Sequence, residues 1–99
     1  MPACYILYSL SHDRYYIGAT HEDVLIRFQK HNEKSYGTDK ATAYTGDWQI
    51  YLVIECITYA QAVNIERHIK KMKSRTYLEN LRKYPEMTEK LIARYNYGT

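Results

Sequence analysis

The sequence predicts an α/β domain: a small, largely antiparallel sheet flanked by helices in the order β-β-α-β-α-α. Three observations predict it. Two short runs of β-forming residues open the chain, separated by a polar stretch. A long β-branched run occupies residues 48–56. Two capping patterns each precede apolar residues at helical spacing. The 99 residues suit one domain over 1–99 with a single modest core.

Taken in order, residues 4–9 (CYILYS) and 15–19 (YYIGA) are rich in β-formers. The polar stretch LSHDR between them reads as the turn of an antiparallel hairpin. Thr20 offers an N-cap with Asp23 three positions on, so a helix is expected from about His21 to about Lys34, with Val24, Leu25 and Phe28 on its apolar side. Residues 35–47 are small, polar and without period, and read as a loop. Trp48–Cys56 is the strongest strand signal and is expected at the centre of the sheet. Thr58 with Gln61 forms a second capping pattern, and a helix to about Ser74 should bury Ala62, Ile65, Ile69 and Met72. Two further helical stretches follow at about 75–96, punctuated by Pro85.

Nearly half of the residues are apolar (45%) and a quarter are charged (25%), which is the balance of a globular soluble chain. No apolar run approaches the roughly 18 residues of a membrane span. No basic stretch followed by an apolar run opens the chain, so no secretory signal is expected. Cys4 and Cys56 form no metal-ligand spacing and read as small buried thiols, in keeping with a reducing cytoplasm. The net charge of +3 is mild, but residues 67–75 (RHIKKMKSR) hold six basic side chains, counting His68, and no acid. Such a patch attracts phosphate backbones, or it is a solvated helix face.

On the first helix, Arg27 and His31 are i,i+4 neighbours edging the apolar stripe. Arginine there is a planar donor suited to phosphate; its structural alternative is pairing with a local acid. On the second helix, Glu66 borders the stripe one turn before Lys70, and Lys73 falls on nearly the same edge. A lone carboxylate followed by two lysines suits a divalent metal with phosphate anchors; the alternative is an ordinary i,i+4 salt bridge. Together with tyrosines on the hairpin, these are parts able to attack a phosphodiester. An acid can hold Mg²⁺, an arginine can offset phosphate charge, and a tyrosine or histidine can orient or deprotonate water.

The ordered set of Tyr5, Tyr16-Ile17-Gly18, Arg27, His31-Asn32, Trp48 and the run from Glu66 to Lys73 resembles the GIY-YIG nucleases over about residues 3–75. The closest likeness is to the small single-domain branch, related to the N-terminal nuclease domain of the bacterial excision-repair incision subunit. The second motif is intact. The first keeps its tyrosine, while its glycine is replaced by Ala3. At the spacing where many members carry an asparagine stands Leu78, and Asn80 falls slightly late.

The resemblance implies a three-stranded sheet and a DNA endonuclease dependent on one divalent metal, Mg²⁺ or Mn²⁺. Glu66 would bind the metal and Arg27 the scissile phosphate. Lys70, Lys73 and Arg75 would contact the nucleic acid. Tyr5 and Tyr16 would line the water side, with Tyr5, Tyr16 or His31 as general base. A tyrosine base needs a nearby positive charge, since its ordinary pKa is about 10, whereas histidine titrates near neutrality. By strand alternation Tyr15 should point to the other face and pack. Tyr36 and Tyr44, in the loop before the third strand, could stack on unpaired bases. A footprint this small favours single-stranded or structured DNA. The rival readings are a nucleic-acid-binding module without catalysis, which would need a partner chain for affinity, and an interaction domain with no nucleic-acid role.

Overall fold

The structure, a computed structural model, describes residues 1–33 and 45–96, with side chains except at Lys30, His31 and Glu33. The chain order is β1 (Ala3–Ser9), β2 (Arg14–Thr20), α1 (Val24–Glu33), β3 (Trp48–Glu55), α2 (Tyr59–Met72), α3 (Arg75–Lys83) and α4 (Pro85–Arg94). The expected β-β-α-β-α-α order is therefore present, with α4 as a separate helix. Pro85 opens α4, where its missing N–H costs no hydrogen bond.

β1 and β2 form an antiparallel hairpin whose register runs from Ala3↔Thr20 to Ser9↔Arg14. Asp13 closes the turn in the left-handed region (φ 52°), a conformation that aspartate tolerates better than most residues. The sheet order is β2-β1-β3, all antiparallel. β1 is thus the central strand, and β3 lies at a rim, contrary to the expectation from its β-branched run. β1 has partners on both sides and is buried at six of its seven positions, whereas Gln49, Ile50, Val53 and Glu55 of β3 are exposed.

A register shift separates Ile6↔Leu52 from Leu7↔Ile50, leaving Tyr51 as an extra residue in β3. Strict alternation would put Trp48 and Ile54 on one face. The bulge reverses the parity between them. Ile54 packs with Cys4, Ile6 and Cys56 against Ala62, Ile65, Ile69, Leu78, Leu81 and Leu91, so α2, α3 and α4 cover this face. Trp48 joins Ala3, Tyr5 and Leu7 on the other face, against Val24 and Phe28 of α1.

α1 begins three residues later than expected. Thr20 remains paired in β2, its hydroxyl accepting the Glu22 N–H at 3.0 Å. Asp23 starts the helix instead, its carboxylate accepting the Leu25 N–H at 2.7 Å. Leu25 is exposed rather than part of the buried stripe, which is carried by Val24 with half-buried Phe28. In α2, Thr58 caps as expected, accepting the Gln61 N–H at 3.1 Å. The Gln61 side chain accepts the Ile57 N–H at 2.8 Å and donates to the Ile92 carbonyl at 2.9 Å, tying α2 to α4. Ala62, Ile65 and Ile69 are buried as expected, but Met72 is 46% exposed at the last helical position. Lys73 turns the chain with φ 47°, and Ser74 then caps α3 rather than extending α2. No helix of the described residues is long and apolar enough to cross a membrane.

Candidate active site

Gly18 sets the first part of the site. It pairs with Tyr5 across the hairpin. A Cβ at Gly18 would lie 2.6 Å from Cζ and the hydroxyl of Tyr5 and 3.0 Å from Cε1 of Tyr16. Real Cβ atoms do not approach so closely, so only glycine lets the Tyr5 ring lie over the strand. Tyr5 is fully buried. Tyr16 is half-buried, its ring 6.2 Å from that of Tyr5 and 6.4 Å from Trp48. Of the two motif tyrosines, Tyr16 therefore carries the accessible surface. Tyr15 points to the opposite face, as expected, packing edge-on against Tyr51 at 5.2 Å and against Tyr8 at 4.8 Å. Burial pushes the Tyr15 phenol up to about 12, away from any acid–base use near neutrality.

Arg27 is half-buried, with its Nε enclosed. It lines a cleft of about 280 Å³ with Ala19, Thr20, His21, Glu22 and Tyr59. His21 stacks on Tyr59 at 3.6 Å, closing one wall. A second groove, of about 420 Å³, runs between Arg14, Tyr15 and Ile17 of β2 and Lys70, Lys73 and Arg75. Both clefts follow β2, one at its end and one along its length.

Helix geometry places Glu66 relative to them. At about 100° per residue, Tyr59, Glu66 and Lys70 share one flank of α2, and Lys73 follows just past its end. Tyr59 lies in the Arg27 cleft, and Lys70 and Lys73 line the second groove. Glu66 thus stands on the flank that joins the two. Its Oε1 accepts from Lys70 Nζ at 3.1 Å, and its side chain is 20% exposed. Among the described residues no group of three or more His, Cys, Asp or Glu side chains is placed to share a metal. A single accessible carboxylate still fits Mg²⁺ or Mn²⁺, because Mg²⁺ keeps several waters and often takes only one or two carboxylates alongside substrate phosphate.

Arg75 reaches the groove but is also engaged elsewhere. Its Nη1 donates to Asp13 Oδ1 at 2.8 Å, its other amino group donates to the Asp13 carbonyl, and it lies over the Tyr15 ring at 5.4 Å. Arg75 and the Tyr8 hydroxyl together hold the Asp13 carboxyl below its usual range. The arginine thereby pins the hairpin turn to α3. The His31 side chain, Tyr36 and Tyr44 lie outside the described residues. Asn80 sits on α3, its carbonyl accepting the Tyr84 N–H at 2.8 Å.

Two site residues were not anticipated from sequence. Tyr59 has a signal in its seven-residue spacing from Glu66, which puts both on one helix flank. Arg14 has none, because it enters the groove from a strand end with a long side chain.

The family model of the GIY-YIG catalytic domain matches residues 1–80, which takes in β1 through α2 and most of α3. No curated protein and no solved structure is matched. The match contains Tyr5, Tyr16, Gly18, Arg27 and Glu66, so the tyrosine pair, the arginine cleft and the α2 carboxylate all fall inside it. By that match over most of its length, with the three-stranded antiparallel sheet and flanking helices it requires, the chain belongs to the GIY-YIG family of nuclease catalytic domains.

Proposed function

We propose that the chain is a divalent-metal-dependent DNA endonuclease that hydrolyses phosphodiester bonds in single-stranded or structured DNA. The observation that carries the reading is the α2 flank, which sets one carboxylate, Glu66, between the Arg27 cleft and a groove lined by Arg14, Lys70 and Lys73. Glu66 would hold Mg²⁺ or Mn²⁺, which when bound supplies Lewis-acid polarisation of a phosphoryl oxygen. Lys70 and Lys73 draw the phosphate backbone along β2, and Lys70 exchanges its carboxylate partner for phosphate. Arg27 donates to the scissile phosphate and offsets its growing negative charge. Tyr16, the more accessible motif tyrosine, or His31 orients or deprotonates the attacking water. Tyr5 acts from beneath, fixing the Tyr16 ring through the packing over Gly18.

Cleavage of labelled single-stranded, duplex and flap DNA tests this, with Mg²⁺, Mn²⁺ or EDTA and with Glu66→Ala prepared in parallel. Metal-dependent cuts are expected, absent in EDTA and in Glu66→Ala. Arg27→Ala and the loss of the true base should each slow cutting by about 10²–10⁴-fold. Tyr16→Phe and His31→Ala, measured side by side, identify the base. Cleavage that survives Glu66→Ala would sink the assignment of the carboxylate. No cleavage under any metal would sink the enzyme itself.

A further inference from the structure

The opposite flank of α2 carries a second basic surface that the catalytic reading leaves unused. Arg67, His68 and Lys71 turn away from β2, on the far side of the Ala62–Ile65–Ile69 stripe. With Arg94 and Tyr95, at the end of α4, and with Asn64 and Met72, they line a separate groove of about 440 Å³. Arg67, Lys71 and Arg94 are exposed, and none has an ion pair among the described residues. Among the described residues no acid lines the groove. The His68 ring is held by Tyr95, Nδ1 to hydroxyl at 2.8 Å, and Arg94 lies over the Tyr95 ring at 5.5 Å. Two walls are therefore built, not merely charged. Arg94 and Tyr95 lie beyond residues 1–80, so one wall of this groove is supplied from outside the family's catalytic domain.

Three exposed cations with no ion pair among the described residues repel one another across a concave surface, and an anion that joined them would relieve that repulsion. Three positions spread over two helices suit successive phosphates of a chain better than one compact anion. We propose that the α2–α4 groove is a second phosphate-backbone site, which grips nucleic acid on the far side of α2 from the reacting phosphate. A substrate with two backbone paths, such as a flap or branch, would straddle α2 with one path in each groove. The ligand class rests on the nuclease reading; the groove does not require that the chain cut.

The test is binding in EDTA, where no cleavage occurs, followed by fluorescence anisotropy with a labelled 30-nucleotide strand and a labelled flap duplex. A variant carrying Arg67→Ala, Lys71→Ala and Arg94→Ala is compared with the unaltered chain. A control removes Arg82, Lys83 and Lys90, an equal charge outside both grooves. Circular dichroism checks that each is folded, and the single variant Lys71→Glu serves if the triple variant is not. We expect the groove variant to bind flap DNA at least about tenfold more weakly near 0.1 M salt. Its plot of log affinity against log salt should be shallower by about 2–3. The control should stay close to the unaltered chain.

Equal losses in the groove variant and the control would overturn the site, as would unchanged binding by a folded groove variant. Competition by inorganic tripolyphosphate separates the ligand sources. If the groove variant loses tripolyphosphate binding while its DNA affinity is intact, the backbone assignment falls. If the unaltered chain never cuts DNA yet the groove variant loses binding, the nuclease reading fails and the groove stands.

Discussion

Gly18 shows how one missing side chain organises its neighbours. The Tyr5 ring occupies the space where a Cβ would stand, 2.6 Å away. Tyr5 is fully buried and cannot swing aside without opening the core it shares with Leu7 and Trp48. Gly18→Ala should therefore destabilise the protein by about 1–3 kcal/mol, the usual cost of overpacking, seen as a lower midpoint in urea unfolding. A midpoint unchanged by the substitution would mean that the ring yields freely. The motif was legible in sequence because each of its residues has a specific steric or chemical task. The division of labour between Tyr5 and Tyr16 was not, since burial depends on which helix covers the strand. Arg75 was legible as a cation but not as the partner of Asp13, a residue 62 positions away in sequence.

Between elements, a polar tie joins the hairpin to the start of β3. Asp47 accepts from the Ser9 hydroxyl at 2.6 Å, the Thr45 hydroxyl at 2.6 Å and the Ser11 N–H at 3.0 Å. These bonds, that from Ser9 first, hold its carboxyl well below the usual carboxylate range. A carboxyl lowered by folding stabilises the native state above its unfolded pKa, about 3.9, and that stability is lost as pH falls through the folded value. Thermal unfolding followed from pH 5 down to pH 2 should thus show a steep acid loss. Asp47→Asn should flatten that limb in part, since Asp13, whose carboxyl is also held down, still contributes to the acid loss. An unaltered acid limb in Asp47→Asn would remove Asp47 from the account. The helices were legible at this scale wherever a cap and a stripe coincided, as at Thr58 in α2. The start of α1 was not, because Thr20 serves equally well as a cap or as the last paired residue of β2. The central place of β1 was also hidden, since composition reports burial propensity and says nothing about which strand a third strand will join.

At the scale of the molecule, the family's domain and the C-terminal helix act on each other. Leu91 is buried in the α2 face of the core, and Gln61 and His68 of α2 both bond to residues beyond Pro85. If residues 1–99 form one folding unit, truncation after Tyr84 should lower the thermal midpoint by at least about 10 °C, from the lost Leu91 burial and the Gln61 bond. A truncated chain with the original midpoint would make α4 an independent appendage. The overall architecture was legible because element order and apolar spacing point the same way. The clefts were not, because they arise where separate elements meet. The placement of sulfur has a consequence of another kind. Cys4 and Cys56 are buried, and burial, the largest cause for each, raises both thiols, so neither offers thiolate to peroxide or to soft metal ions. After Met1, the most exposed sulfur is Met72. Beyond Met1, oxidative damage would then fall on the wall of the α2–α4 groove, as a polar sulfoxide, and leave the sheet intact.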